Sequence, residues 1–305
     1  MTEFFSAFWN LVPVTIGHGL LHALVALGIM IPFRLLNFPD LTSEGAFPLG
    51  GCVCAALIAA AVHPLLAMLV AVAAGFAAGA ATAAIHLKLR INTLLAGILV
   101  VTMLWSVNLR VMGKSNIPLF SLPNAFDQAW TGFTASHGAQ IVFWVALVVV
   151  LLALLRWFLR TEVGLVVRAV GANDVMARAN GVNVARVTLL GVAAANACSA
   201  FAGASLAQIQ GYADVAMGFG ILINGLAALI IGEAITGRDT VFRQLLAPFV
   251  GAVVYYLVVA LGLAAGVHPS DLKLVTGLFV LATLGLPAFR RTARRTADRE
   301  PRLKA

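Results

Sequence analysis

The chain has 305 residues, 61% of them hydrophobic and 10% charged, and a net charge of +8. Soluble domains carry roughly 25% charged residues, so these charges are too few to coat a water-soluble globule and enough for a surface that mostly faces lipid. The positive excess is no nucleic-acid footprint, because seven of the twenty Lys and Arg lie between Arg290 and Lys304. That stretch reads as a solvated cytoplasmic tail near anionic lipid.

At the N-terminus, Glu3 and the lack of a basic run before the first apolar stretch argue against a cleaved leader. That stretch is expected to stay as a membrane anchor. A helix needs about 20 apolar residues to cross the hydrocarbon core. Runs without Lys, Arg, Asp or Glu occupy 11–33, 46–85, 91–109, 139–155, 187–213, 215–232, 244–270 and 274–289. The second is long enough for two spans and breaks at His63-Pro64, where proline stops a helix. The pattern predicts an all-α integral membrane protein with about nine crossings (eight to ten), a membrane domain over 1–289 and a basic tail over 290–305. Cys52, Cys54 and Cys198 sit inside apolar runs as small hydrophobes, with no disulfide or metal spacing.

Basic residues then orient the spans, since cytoplasmic loops are enriched in them. With the tail inside, alternation places Arg34, Lys88, Arg90, the loop 156–186, Arg238 and Arg243 inside as well. Seventeen basic residues fall on that side, and only Arg110, Lys114 and Lys273 on the other. The N-terminus is therefore expected outside and the C-terminus in the cytoplasm. The outer loop from Arg110 to Gly138 carries Phe120, Phe126, Trp130 and Phe133, which read as an interfacial aromatic belt or, less simply, as docking for an external partner.

The inner loop, 160–187, holds the most specific signal. Asn173 is a good N-cap, Asp174 places an acid in the first turn, and Gly181 suits the residue after a helix end. A helix of about two turns is expected over 174–180, with Ala177 and Met176 as a small apolar face beside Arg178. Such a helix suits a groove on a soluble partner; lying on the membrane surface is the plainer alternative.

This segment resembles the coupling-helix region of permeases in the branched-chain amino acid and ribose importer superfamily. Gly164, Arg168, Ala169, Gly171, Asn173, Ala177, Arg178, Gly181, Val182 and Asn183 fall at that family's motif positions. Two further blocks, Asn37-Phe38-Pro39-Asp40-Leu-Thr with Gly45-x-Phe47-x-Leu49-Gly50, and Leu206 to Gly218, are similar to a subgroup labelled tryptophan/tyrosine-type permeases. So is Gly225 to Glu233. The resemblance implies a bacterial inner-membrane ATP-binding-cassette importer of two permease copies and two ATPase subunits, fed by a periplasmic or extracellular solute-binding protein. This chain has no G-x-x-x-x-G-K-[ST] loop, so the ATPase is expected to be a separate chain. Arg168, Gly171, Asn173, Asp174, Ala177, Arg178 and Gly181 form the candidate coupling set.

Phe38-Pro-Asp40-Leu and Tyr212-Ala-Asp214-Val match at an offset of 174 residues and start on opposite sides of the membrane, as an inverted repeat requires. Re-entrant pieces are expected near 38–50 and 212–224. Ionisable and amide groups are costly in such a chain unless they face water, a partner or a pore. Asn37, Asp40, Glu44, Asn196, Gln208, Gln210, Asp214 and Asn224 are accordingly the candidate translocation path. Interface marking is the plain reading for Asp40, Glu44 and Glu233, and interhelical packing for Asn196 and Asn224. His18 and His22 share a helix face without further ligands nearby, which favours packing or pore lining over metal. Gly75 and Gly79 form a G-x-x-x-G that suits either internal packing or a dimer seam. An ion- or proton-coupled secondary transporter is the alternative function. An intramembrane enzyme lacks a nucleophile elbow, since Gly203-Ala-Ser205 does not supply one. A small amino-acid-like or aromatic solute fits the amide and aromatic chemistry.

Overall fold

The computed structural model describes residues 2–129, 137–268, 271, 272, 274–279 and 281. Helices dominate: α1 (Thr2–Met30), α2 (Ser43–Ala59), α3 (Pro64–Leu89), α4 (Thr93–Met112), α5 (Ala125–Ala129), α6 (His137–Phe158), α7 (Glu162–Ala172), α8 (Asp174–Ala179), α9 (Val184–Gln210), α10 (Ile221–Thr236) and α11 (Val241–Ala264). Polar caps mark several starts. Asn92, Asn183 and Thr240 each accept a backbone N–H from the first turn of α4, α9 and α11.

Seven helical stretches among the described residues are long and apolar enough to cross a membrane: 8–35, 64–89, 93–112, 137–158, 184–210, 215–236 and 241–264. The expected span after Gly45 is α2, an apolar helix of 17 residues, about 25 Å long at 1.5 Å per residue and so short for a full crossing. The ninth expected span, 274–289, and the tail from Arg290 fall wholly or mostly outside the described residues, as do Trp130 and Phe133. The break at His63-Pro64 is present, with α3 starting at Pro64.

The long helices pack by close backbone approach. On α3, a Cβ at Gly75 would overlap the Asn196 carbonyl and Ala200, and one at Gly79 the Val192 carbonyl, so the G-x-x-x-G seats α3 on α9 within one copy. Gly50 and Gly203 bring α2 and α9 together, and Gly232 and Gly251 do the same for α10 and α11. The other large interface is α1 on α11.

Two departures from an all-helical reading stand out. Asn116–Pro118 (β1) pairs antiparallel with Tyr212–Asp214 (β2), with Asn116 opposite Asp214. This pair closes the outer-loop region onto the end of α9. Phe126 is also no surface belt residue; it is buried against Phe143 and Trp144, at 5.6 and 5.9 Å between ring centres. Among the described residues of that loop, Phe120 is the exposed aromatic.

Candidate functional site

Midway along α9, Asn196 donates through Nδ2 to the Asp40 carboxylate at 2.7 Å and accepts at Oδ1 from the Ser43 hydroxyl at 3.5 Å. The other Asp40 oxygen accepts the Thr42 N–H at 2.9 Å, and Thr42 shares a 2.7 Å hydroxyl contact with Thr82 of α3. All of these side chains are buried. Burial of a carboxylate without such partners would be costly. The segment 36–42 thus carries the chain from the end of α1 to mid-height of α9, where α2 begins.

The second junction has the same local grammar. α9 ends at Gly211, with φ 78°; a wider π turn (Ile31–Leu35) ends α1, and Asn37 follows it with φ 50°. These residues stand 174 positions apart, as do Asp40 and Asp214. Asp214 accepts the Ala216 N–H at 2.6 Å, just as Asp40 accepts that of Thr42. Each aspartate therefore closes a two-residue turn onto its own backbone. A short 3-10 turn (Val215–Gly218) then leads to α10, and the Gly220 N–H donates to Glu44 Oε1 at 2.9 Å. This bond joins the N-terminal ends of α2 and α10. Pro48, inside α2, has no N–H to offer the Glu44 carbonyl. Gly218 packs against that carbonyl and the Pro48 ring, where a Cβ would not fit.

The remaining path candidates are dispersed. Gln208 joins α9 to the outer loop, accepting the Ala125 N–H at 2.9 Å and donating to Cys54 Sγ at 3.2 Å. With Gln210, Asn124 and Asp127 it lines an open cavity of about 260 Å³. Asp214 faces Asn116, 3.3 Å away. Asn224 accepts from the Tyr255 hydroxyl at 2.8 Å, tying α10 to α11. His22 is bonded to the His18 carbonyl at 2.8 Å and packs on Tyr256. Asn37 is exposed and stands apart from the junction, beside the α7–α8 loop.

That loop forms the third feature. Thr161 caps α7, and Asn173 caps α8 by accepting the Met176 N–H at 3.0 Å. Asp174 and Arg178 make an exposed i,i+4 pair at 3.3 Å, and Gly181 follows with φ 80°. Contrary to the expectation from sequence, Ala177 and Met176 do not share a face: Ala177 is buried against the body, whereas Val175 and Met176 are 71% and 65% exposed. Gly171 sits against the Leu35 carbonyl, so the end of α7 rests directly on the turn that precedes Asn37. A cavity of about 260 Å³ beside α8 is lined by Asn37, His86, Asn173, Asp174, Arg178 and Thr188, among others. Arg168 points its Nε into the protein without a hydrogen-bond partner. Sequence reasoning did not foresee that Glu233 is buried at the far end of α10, paired with Arg34 at 2.6 Å and with Arg238. Its two cations come from the π turn that ends α1 and from the loop after α10, and no local motif announces that.

Seven membrane-length helical stretches, with the N-terminal ends of α2 and α10 joined through Glu44 and Gly220, fit the build of a membrane transport protein. Residues 15–284 match the family described as branched-chain amino acid transport system / permease component. The chain belongs to this family and is a multi-pass membrane permease. It is 35% identical to a tyrosine transport system permease protein of Clostridioides difficile over 266 residues, 87% of this chain and 88% of the other. An uncharacterized protein of Rickettsia prowazekii is 29% identical over 283 residues, 90% of this chain and 97% of that one. A ribose import permease protein of Escherichia coli is 25% identical over 213 residues, 69% of this chain and 65% of that protein. No solved structure matches significantly.

Proposed function

We propose that this chain is the membrane subunit of an ATP-binding-cassette importer for a small amino-acid-like or aromatic solute. Two copies work with two ATPase subunits and a solute-binding protein in a bacterial inner membrane. Family membership supports the permease role, and the tyrosine permease relative supports the solute class. The observation that carries the coupling role is α8: a capped two-turn helix with Val175, Met176 and Arg178 turned outward, on a loop made basic by Arg156, Arg160, Arg168, Arg178 and Arg186. The loop 160–187 would dock in a groove of the ATPase, with Gly171 passing its movement to the end of α1.

In this reading the N-terminus and the β1–β2 pair are outside, and α8 and the C-terminal tail are cytoplasmic. The matched turns at Asp40 and Asp214, and the reciprocal packing of α3 on α9 and α11 on α1, support an inverted repeat. Its two broken segments enter from opposite faces, and about nine crossings complete the domain. Of the path candidates, Asn37, Glu44, Gln210 and Asp214 have access to open space, whereas Asp40, Asn196, Gln208 and Asn224 hold elements of the fold in place. A secondary transporter is favoured by one observation only, the buried Asp40 carboxylate with uncharged partners.

The two readings part on Arg178→Glu in reconstituted permease–ATPase complex. Reversing the outward charge of α8 is expected to uncouple ATP hydrolysis from uptake while the permease keeps its fold. Normal ATP-driven uptake in that variant overturns the coupling role of α8, and full uptake by the permease without any ATPase overturns the importer reading.

A further inference from the structure

The residue that ends α3, Arg90, has a φ of 57°, in the left-handed region. Glycine adopts that conformation at least cost, and glycine supplies it after α4, α8 and α9, at Gly113, Gly181 and Gly211. The backbone at this turn is thus better served by glycine, and the reason for an arginine lies in its side chain. That side chain lines an open cavity of about 540 Å³ together with His86, Arg178 and Asn183. The cavity shares His86, Leu87, Arg178 and Val184 with the smaller one beside α8. One wall is the α3–α4 turn, where His86 is bonded to the Ile91 carbonyl at 2.6 Å and stands edge-on to Phe38 at 5.2 Å. The other is α8 with the start of α9.

The groove is strongly basic. Lys88, Arg90, Arg178 and Arg186 are all exposed, and the one carboxylate on α3, α4, α8 and α9 is Asp174, which faces Arg178 at 3.3 Å. Lys88, Arg90 and Arg186 make no ion pair among the described residues. Like charges gathered at one groove repel each other and favour an anion.

We propose that this groove receives an acidic side chain of the ATPase subunit, held between Arg90 and Arg178, so that the α3–α4 turn is a second contact beside α8. This deepens the coupling reading above and rests on it. A guanidinium takes a carboxylate side-on through paired N–H groups, and both walls of the groove supply one. Each wall also turns apolar side chains outward: Leu89, beside Arg90, is 64% exposed, and Val175 and Met176 are exposed on α8. Arginine next to outward apolar groups suits a folded protein surface, whereas a small free anion has no use for them. The position matters for transport because Gly75 and Gly79 seat α3 directly on α9. A carboxylate bridging Arg90 and Arg178 clamps the cytoplasmic end of α3 to α8, and the ATPase then grips the packed pair α3–α9 together with α8.

The test uses the purified permease in lipid nanodiscs with the ATPase subunit that co-purifies with it. Benzoylphenylalanine in place of Leu89 is expected to crosslink to the ATPase, as it should in place of Met176. Arg90→Glu should weaken ATPase association about tenfold or more in biolayer interferometry, since it removes a charge-assisted contact and adds a like charge. Arg110→Glu, exposed on the last turn of α4, should leave association unchanged. Arg90→Gly separates contact from fold: it should melt no lower than wild type, because glycine suits the left-handed turn, yet also bind the ATPase more weakly. Wild-type association of both Arg90 variants, or a lower melting temperature for Arg90→Gly, overturns the second contact. So does a loss of association seen with phosphatidylglycerol in the nanodisc and absent in pure phosphatidylcholine, which makes a lipid headgroup the occupant. Capture of the ATPase at Met176 but not at Leu89 keeps the coupling role of α8 and overturns only the second contact; capture at neither position overturns both.

Discussion

Asn196 of α9 donates a 2.7 Å hydrogen bond to Asp40, a fully buried carboxylate on the segment that leads into α2. The bond links residues 156 positions apart and sets the depth at which α2 begins.

Replacing Asn196 by Ala should therefore destabilise the protein well beyond the loss of side-chain volume. The carboxylate would keep only its local turn, and a buried charged group deprived of a partner costs about 3 kcal/mol or more. A thermal melt of the detergent-solubilised permease measures it. An unchanged midpoint would show that Asp40 finds another partner or water.

Gly50 and Gly203 should be intolerant of any side chain. A Cβ at Gly50 would overlap the Ala200 carbonyl, and one at Gly203 the Phe47 carbonyl. Gly50→Leu and Gly203→Leu are expected to abolish folded yield in fluorescence-detected size-exclusion chromatography. Gly138→Ala is the control, because nothing lies within 4 Å of the added carbon.

The buried Glu233 pairs with both Arg34 and Arg238, whose side chains are partly exposed. Either arginine alone should be dispensable, at about 1 kcal/mol, since the other still neutralises the carboxylate. Removing both should cost more than the sum, because the carboxylate is then buried unpaired. A double-mutant cycle on melting temperature reads the excess; additive losses would mean water already serves the carboxylate.

Orientation is tested by cysteines placed at two exposed positions, Phe120 and Met176. An impermeant thiol reagent applied to intact cells should label Phe120→Cys and spare Met176→Cys. The opposite result inverts the proposed topology.

The long spans were legible because membrane-length apolar runs need no tertiary context, and α8 was legible because Asn173 and Gly181 are local signals. What the sequence hid depends on pairs distant along the chain. β1 and β2 are three residues each and form only because the outer loop meets the end of α9. Phe126 looked like an interfacial aromatic until α6 was placed beside it. Asn37 and Asn224 share a residue type, yet one lies against α8 and the other bonds Tyr255.

The outer loop is fastened to the interior by a short mechanical train. Leu119 donates to the Gly211 carbonyl at 2.7 Å, the Val215 N–H reaches back to Ser115 at 3.1 Å, and the Phe120 ring leans on Gly211. From Gly211 the backbone runs nine residues to Gly220, which grips Glu44. Phe120 is thus tied, through the backbone from Gly211 to Gly220 and the Glu44 carboxylate, to the joint of α2 and α10. At the other end of the segment that leads into α2, Gly171 packs against Leu35, five residues before the Asp40 that Asn196 holds. Two surface elements, the Phe120 loop and α8, are therefore tied by short backbone paths to the start of α2.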